Sequence, residues 1–260
     1  MTTIAVPLVK PVSTPRSVAS VLARYYYSAA SLLMLGLTLF GFYNFYLFGK
    51  AYPSRPLTPP IKSILIAHGL VMTAWILLAV LQPVLVAGRS RRAHMMVGRV
   101  GGLVAIAAVV LGVWVATAAT RVNPPEMQLF GLHTHAFMVV PLSAIALFTG
   151  FVATAIAARK TPAIHKPFML LATLSVISAS IGRIEIFNRP FTNTPFEYHL
   201  SAFTPVLLLG ALLLAAKSLI DRKLDRWFAI GLAIIAVVTF AGTHLSRTAA
   251  WEAFVQWMIR

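Results

Sequence analysis

Seven histidines and no cysteine set the chemistry open to this chain. Without thiolates there are no disulfides, thiolate metal sites, iron–sulfur clusters or covalently attached c-type haem. Neutral imidazole is then the main ligand available for haem iron, copper or zinc. The acidic residues Glu126, Glu185, Glu197, Asp221, Asp225 and Glu252 are too few for a carboxylate-rich metal cage. A bis-histidine b-type haem needs two imidazoles from facing helices at matching depth. Whether the histidines can meet that demand depends on the elements that carry them.

Those elements are membrane helices. The 260 residues are 59% hydrophobic and 11% charged, with mean hydropathy +0.83, too little polar surface for a soluble domain. Seven apolar runs are long enough to cross a bilayer, at Arg24–Phe48, Ile61–Ala87, Val100–Ala119, His133–Ala157, Pro167–Phe187, Tyr198–Ala216 and Trp227–Leu245. They are continuous rather than alternating, which predicts an all-α integral membrane fold and not a β-barrel. Lys10, Arg16 and Arg24, with the basic clusters after helices 2, 4 and 6, put fourteen of the 22 Lys and Arg residues on one side. The positive-inside rule then predicts a cytoplasmic N-terminus and an outside C-terminus. A net charge of +16 is accounted for by this asymmetry, with no nucleic-acid partner. Pro7, Pro11 and Pro15 interrupt the N-terminal tail, so no cleavable signal peptide is expected. The chain divides into a cytoplasmic tail (1–23), a seven-helix membrane domain (24–245) and an amphipathic segment on the outer face (246–260), with Trp251, Phe254, Val255 and Met258 on its apolar side. The aromatic cluster from Phe40 to Phe48 reads as an interfacial belt.

Spacing suggests an internal repeat. Thr58-Pro59-Pro60 precedes His68 by ten residues, and Asn123-Pro124-Pro125 precedes His133 by ten. Both read as helix N-caps with proline in the first turn, and Asn123/Glu126 and Thr194/Glu197 have capping-box spacing. Arg89 leads to His94, and Lys160 to His165, by five residues each, while Arg121, Arg183 and Arg247 recur after 62 and 64. The economical description is helix 1 followed by three parallel-repeated hairpins, 2–3, 4–5 and 6–7. It places His68 and His133 at one depth near the outer side, and His94 and His165 at another near the inner side. His68, Met72, Trp75, Ala79 and Gln82 give helix 2 a partly polar inward face. Small-residue stripes at Gly101, Ala105, Ala108 and Gly112, and at Ser175, Ala179 and Gly182, predict close helix packing.

The run from His68 through Trp75, the Arg89-Arg91-Arg92-His94 cluster with Gly98, and the stretch from His165 to Arg183 resemble an uncharacterised bacterial multipass family, a domain of unknown function covering roughly helices 2 to 5. Histidines on helices 2, 3, 4 and 5 also resemble, in their order, the transmembrane di-haem b cytochromes of the ascorbate- and ferric-reducing type. The resemblance implies b-type haem with His68 and His133 as one axial pair and His94 and His165 as the other. The corresponding function is a bacterial inner (plasma) membrane redox protein passing electrons between quinol, or another membrane donor, and an outer acceptor, so a quinone or another membrane redox partner is expected. The sequence departs from the cytochromes in its 26-residue gap from His68 to His94 and in the basic surroundings of His94 and His165. From His68 to Arg89 is roughly 31 Å of helix, and two sites that far apart make poor direct electron-transfer partners.

Arg183 should lie below the outer interface, with Glu185, Glu197 or a haem propionate as partner; helical geometry favours Glu197. A second reading makes His68, His133, His135, His199 and His244 a metal or proton pathway. A third is a zinc hydrolase, although no H-x-x-x-H or H-E-x-x-H occurs. A fourth is a non-catalytic membrane scaffold with structural histidines. The residues fix neither the substrate nor the oligomeric state.

Overall fold

The computed structural model describes residues 18–52 and 55–260. Lys10, Arg16 and the prolines of the expected tail lie outside the described residues. Among them, seven helices are long and apolar enough to cross a membrane: α1 (Val18–Gly41), α2 (Lys62–Ala87), α3 (Arg91–Val122), α4 (Thr134–Ala157), α5 (Pro162–Ile181), α6 (Pro195–Asp221) and α7 (Arg226–Leu245). An eighth helix, α8 (Ala249–Met258), closes the chain. This is an all-α integral membrane architecture, and all seven expected spans are present with shifted ends. Helix α1 starts at Val18 because nothing between 18 and 24 breaks a helix. It stops at Gly41, and the aromatic belt forms a separate short helix, Tyr43–Phe48, closed by Gly49 at φ +59°. Helix α5 starts at Pro162, a favoured first-turn position.

Helices α2 and α3, α4 and α5, and α6 and α7 pack as neighbouring pairs. Helix α5 is central, touching α1, α2, α4, α6 and α7. Its sequence explains how a hydroxyl-rich helix can occupy that place. Thr173, Ser175 and Ser178 are buried, and each hydroxyl donates to a carbonyl three or four residues back on the same helix, at 3.3, 2.8 and 3.3 Å. Their small side chains then admit neighbouring backbones closely. Such back-bonding also bends helices, and α5 breaks at Ile177. The break turns Ala179 outward and Ser180 inward, which corrects the expected Ser175-Ala179-Gly182 stripe. The α3 stripe holds: Ala105, Ala108 and Gly112 are buried, and Ile145 of α4 and His68 of α2 come close enough to Gly112 to touch an added Cβ. The inward face of α2 holds too. Trp75 is buried edge-on against Phe148 of α4, with ring centroids 4.7 Å apart.

The proline-marked caps form differently from expectation. Helix α2 begins at Lys62, capped by Ile61 without a side-chain bond; Thr58 supplies its carbonyl to Lys62 N at 3.2 Å. Asn123 ends α3 instead of starting α4. A two-stranded hairpin, β3 (Gln128–Leu129) with β4 (Leu132–His133), stands between them. It mirrors a pairing of the same size, β1 (Lys50–Ala51) with β2 (Arg55–Pro56), before α2. Thr194 stands at the N-cap position of its helix without a side-chain cap bond, its hydroxyl donating to the Phe191 carbonyl, and Glu197 accepts from Asn193 N at 2.7 Å, one residue before the expected capping-box partner.

The segment expected to be amphipathic docks on the bundle through α8. Thr248 caps it, accepting from Trp251 N at 3.3 Å. Trp251 Nε1 donates to the His135 carbonyl at 3.0 Å, and His135 Nδ1 meets Glu252 Oε1 at 2.7 Å. Arg121 donates to the Ile259 and Arg260 carbonyls at 2.8 and 2.7 Å. Phe254 and Trp257 stay exposed, an apolar face suited to the membrane boundary. The hydrogen bond from His135 holds the Glu252 carboxyl below its ordinary 4.5. A depressed carboxylate stabilises the docked state above that value and loses the contribution as pH falls through the lowered one. Acidification below 4.5 is therefore expected to loosen α8, read as faster amide exchange in Ala249–Met258. Glu252→Gln should remove that pH dependence; an exchange rate equally pH-dependent in the variant would contradict it. The effect is modest because both partners are partly exposed.

Candidate functional site

One end of the bundle gathers the basic residues. Arg24, near the start of α1, donates through Nε to the Ala87 carbonyl at the end of α2 at 2.8 Å, with Nη2 on the same oxygen. Lys217, near the end of α6, pairs with Asp221 and lies 5.7 and 5.8 Å from the rings of Tyr26 and Tyr27. Lys166 stands 6.0 Å from Tyr27, and the Tyr26 hydroxyl donates to the Leu213 carbonyl at 2.7 Å.

At this end His94, in the first turn of α3, faces His165, in the first turn of α5. Their ring centroids are 6.3 Å apart and the planes stand at 89°. Both side chains are half-buried. Each ring is held through Nδ1. His165 Nδ1 lies 2.8 Å from the Ala155 carbonyl, one of the acceptors that the last turn of α4 leaves open. A carbonyl only accepts, so the His165 proton sits on Nδ1 and Nε2 presents its lone pair. The Gln82 amide covers His94. With its nitrogen toward His94, it donates to Nδ1 and to the His94 carbonyl at 3.2 Å, while its oxygen accepts from Gly98 N at 2.8 Å. Gln82 lies on the polar face of α2 that the sequence marks out, so that face serves to position His94.

A second pair gives an internal ruler. His199 Nδ1 and His244 Nε2 lie 3.0 Å apart in a direct hydrogen bond, with centroids at 5.1 Å. The His94–His165 rings are more than an ångström wider and share no direct bond. An atom bridging two imidazoles stands about 2 Å from each nitrogen, which puts collinear ring centroids roughly 6 Å apart. His94 and His165 are the inner pair of the sequence reading, and at this separation they would be the residues to hold such a group. Ligation through both Nε2 atoms would ask for the His94 proton on Nδ1 and the Gln82 oxygen turned toward it, which gives up the amide's bonds to the His94 carbonyl and the Gly98 N–H.

The remaining candidates are dispersed. His68, in the second turn of α2, has its Nδ1 buried with no hydrogen-bond partner and lies against Gly112. His133 is exposed on β4, and no hydrogen bond or ring contact joins it to His68. The β3–β4 hairpin takes His133 off the helix, so the equal depth expected for the two is not formed. His135 belongs to the α8 contact. His199 and His244 tie the first turns of α6 to the end of α7, with Phe240 stacked on His199 at 5.5 Å. Among the described residues, no three His, Asp or Glu side chains converge to hold a metal ion. The five-histidine pathway is accordingly split into separate contacts, and a three-histidine zinc centre is not assembled. Arg183 pairs with neither Glu185 nor Glu197. Its guanidinium donates to the Ala179 carbonyl and lies over Phe42 at 4.3 Å, while Glu197 is engaged with the Asn193 N–H. Comparison with known protein families, curated proteins and solved structures gives no match.

Proposed function

We propose that this integral membrane protein is a redox protein holding one b-type haem between His94 and His165. The observation that supports it is the Nδ1-anchored ring pair with centroids 6.3 Å apart. When bound, the haem supplies one-electron transfer between a membrane donor such as quinol and a partner at the basic face. The chain's own residues do the positioning. Ala155 fixes the His165 tautomer, as outer partners of metal-ligating histidines do, and the Gln82 amide covers the His94 ring. Arg91 is an electrostatic neighbour of His94, and with Arg92 and Lys166 it favours the carboxylates of a haem edge. By the positive-inside rule this end faces the cytoplasm, in the bacterial inner membrane expected from the sequence.

The test is an oxidised-minus-reduced absorbance spectrum of protein purified in mild detergent from haem-sufficient cells. A Soret shift and sharp α-band, present in the wild type and in His68→Ala but absent from His94→Ala and His165→Ala, is the expected result. A flat wild-type spectrum from folded protein would sink the reading.

A further inference from the structure

Arginines at the end of the bundle opposite the basic cluster are mostly committed to the protein. Arg121 binds two carbonyls near the C-terminus. Arg247 donates to the Tyr198 carbonyl at 2.7 Å and to the Thr243 carbonyl at 3.4 Å, and stacks on the Tyr198 ring at 4.0 Å. Arg183 differs. A guanidinium has five N–H donors in a planar fork, and the Arg183 hydrogen bond goes to Ala179, four residues back on its own chain. Its other contacts are ring faces, Phe42 at 4.3 Å and Tyr52 at 5.4 Å. No carboxylate reaches it: among the described residues the ion pairs are His135–Glu252 and Lys217–Asp221. His68 is an electrostatic neighbour but brings no negative charge.

The position makes this cation costly as it stands. Arg183 is half-buried, two residues beyond the end of α5, at the depth where hydrocarbon gives way to headgroups. Its chain neighbours Ile186 and Phe187, and Phe40, Tyr43, Leu47 and Phe48 beside Phe42, are exposed and apolar. An arginine in such surroundings needs an anion or water to complete its hydrogen bonds. The planar fork matches phosphate oxygens two at a time, and exposed apolar side chains beside it suit acyl chains.

We infer that Arg183, backed by Phe42 and Tyr52, forms a phosphate-oxyanion site at the membrane boundary. The ligand chemistry is a phosphate carrying unshared negative charge, supplied by an anionic lipid headgroup or by free phosphate. The inference stands apart from the haem reading and uses none of its residues.

The test places wild-type protein, Arg183→Gln, Arg183→Lys and Arg189→Gln in nanodiscs of phosphatidylcholine with one-tenth phosphatidylglycerol, and counts retained lipids by native mass spectrometry after detergent extraction. Arg189 is an exposed arginine of the same loop, so its variant controls for net charge. Expected is one phosphatidylglycerol held by the wild type and by Arg189→Gln, with retention reduced roughly tenfold in Arg183→Gln and less in Arg183→Lys. A parallel arm measures Tm in detergent with and without millimolar inorganic phosphate. A rise in the wild type but not in Arg183→Gln identifies free phosphate as a ligand of the same site. The inference is overturned if the wild type neither selects phosphatidylglycerol nor responds to phosphate, or if Arg183→Gln does both as well as the wild type. Should Arg183→Gln fail to fold, Arg183→Lys carries the same comparison.

Discussion

Gly41→Leu is expected to prevent assembly of the bundle, and Gly41→Ala to cost more than the ~1–3 kcal/mol usual for overpacking. A Cβ at Gly41, the last residue of α1, would fall on the carbonyl oxygen, carbonyl carbon and Cα of Ser180 in α5. Those atoms are backbone and cannot swing aside as a side chain would. The approach is tight because both surfaces are small: Thr38 Oγ1 bonds its own Met34 carbonyl at 2.8 Å and accepts from Ser180 Oγ at 3.5 Å. Any added side chain must push α1 off the central helix, and that loss spreads to the other helices packed on it. Gly36, on the same helix, has nothing near an added Cβ. Gly36→Ala should therefore stabilise by about 1 kcal/mol through helix propensity alone. Thermal unfolding in detergent separates the two. A Gly41→Leu protein melting with the wild type would disprove the close contact.

The second large effect is at the histidine pair. His165→Gly is expected to abolish the haem absorbance, and millimolar imidazole to restore part of it by filling the space the ring leaves. Restoration is the more informative half, because a variant that had merely misfolded would not respond to a small ligand. Gln82→Leu keeps both ligands but removes the group against His94 Nδ1; loss of such an outer partner weakens a metal site by about 10–100-fold. Haem titration of Gln82→Leu alongside the wild type measures that factor. Equal affinity in the two would show that Gln82 does not position His94. An unchanged spectrum in His165→Gly, with loss in His68→Ala, would move the site to the other end of the bundle.

Helix existence was legible because length and hydropathy decide it, and the polar face of α2 and the stripe on α3 followed from a period of 3.6. Proline misled. A Pro-Pro pair after asparagine reads equally well as the start of one helix or as the stop of another; at Asn123 it is a stop. The hairpin that follows turns at Phe130 and Gly131, with φ of +50° and +72°. Positive φ at both central positions is the signature of a two-residue turn, but a bulky Phe at the first disguised it. That one element took His133 off its helix, whereas His94 and His165 stand beside each other in the first turns of α3 and α5. The partners of His135, Arg121 and His199 lie 117, 138 and 45 residues away. No local periodicity encodes such contacts. Arg183 turns back to the Ala179 carbonyl of its own segment, and Glu197 takes the Asn193 N–H; helical angles alone encode neither contact.

Helix α5 touches α6 and α7, yet both follow it in the chain, so during synthesis it enters the bilayer before they exist. A central helix that relied on those neighbours to satisfy its polar groups would be stranded in lipid for that interval. Three of its buried hydroxyls close instead on carbonyls of the same helix, and the fourth, Ser180, on Thr38 of α1, which is made before it. The helix can wait in hydrocarbon with its polarity already sealed, and the later helices need only fit its surface.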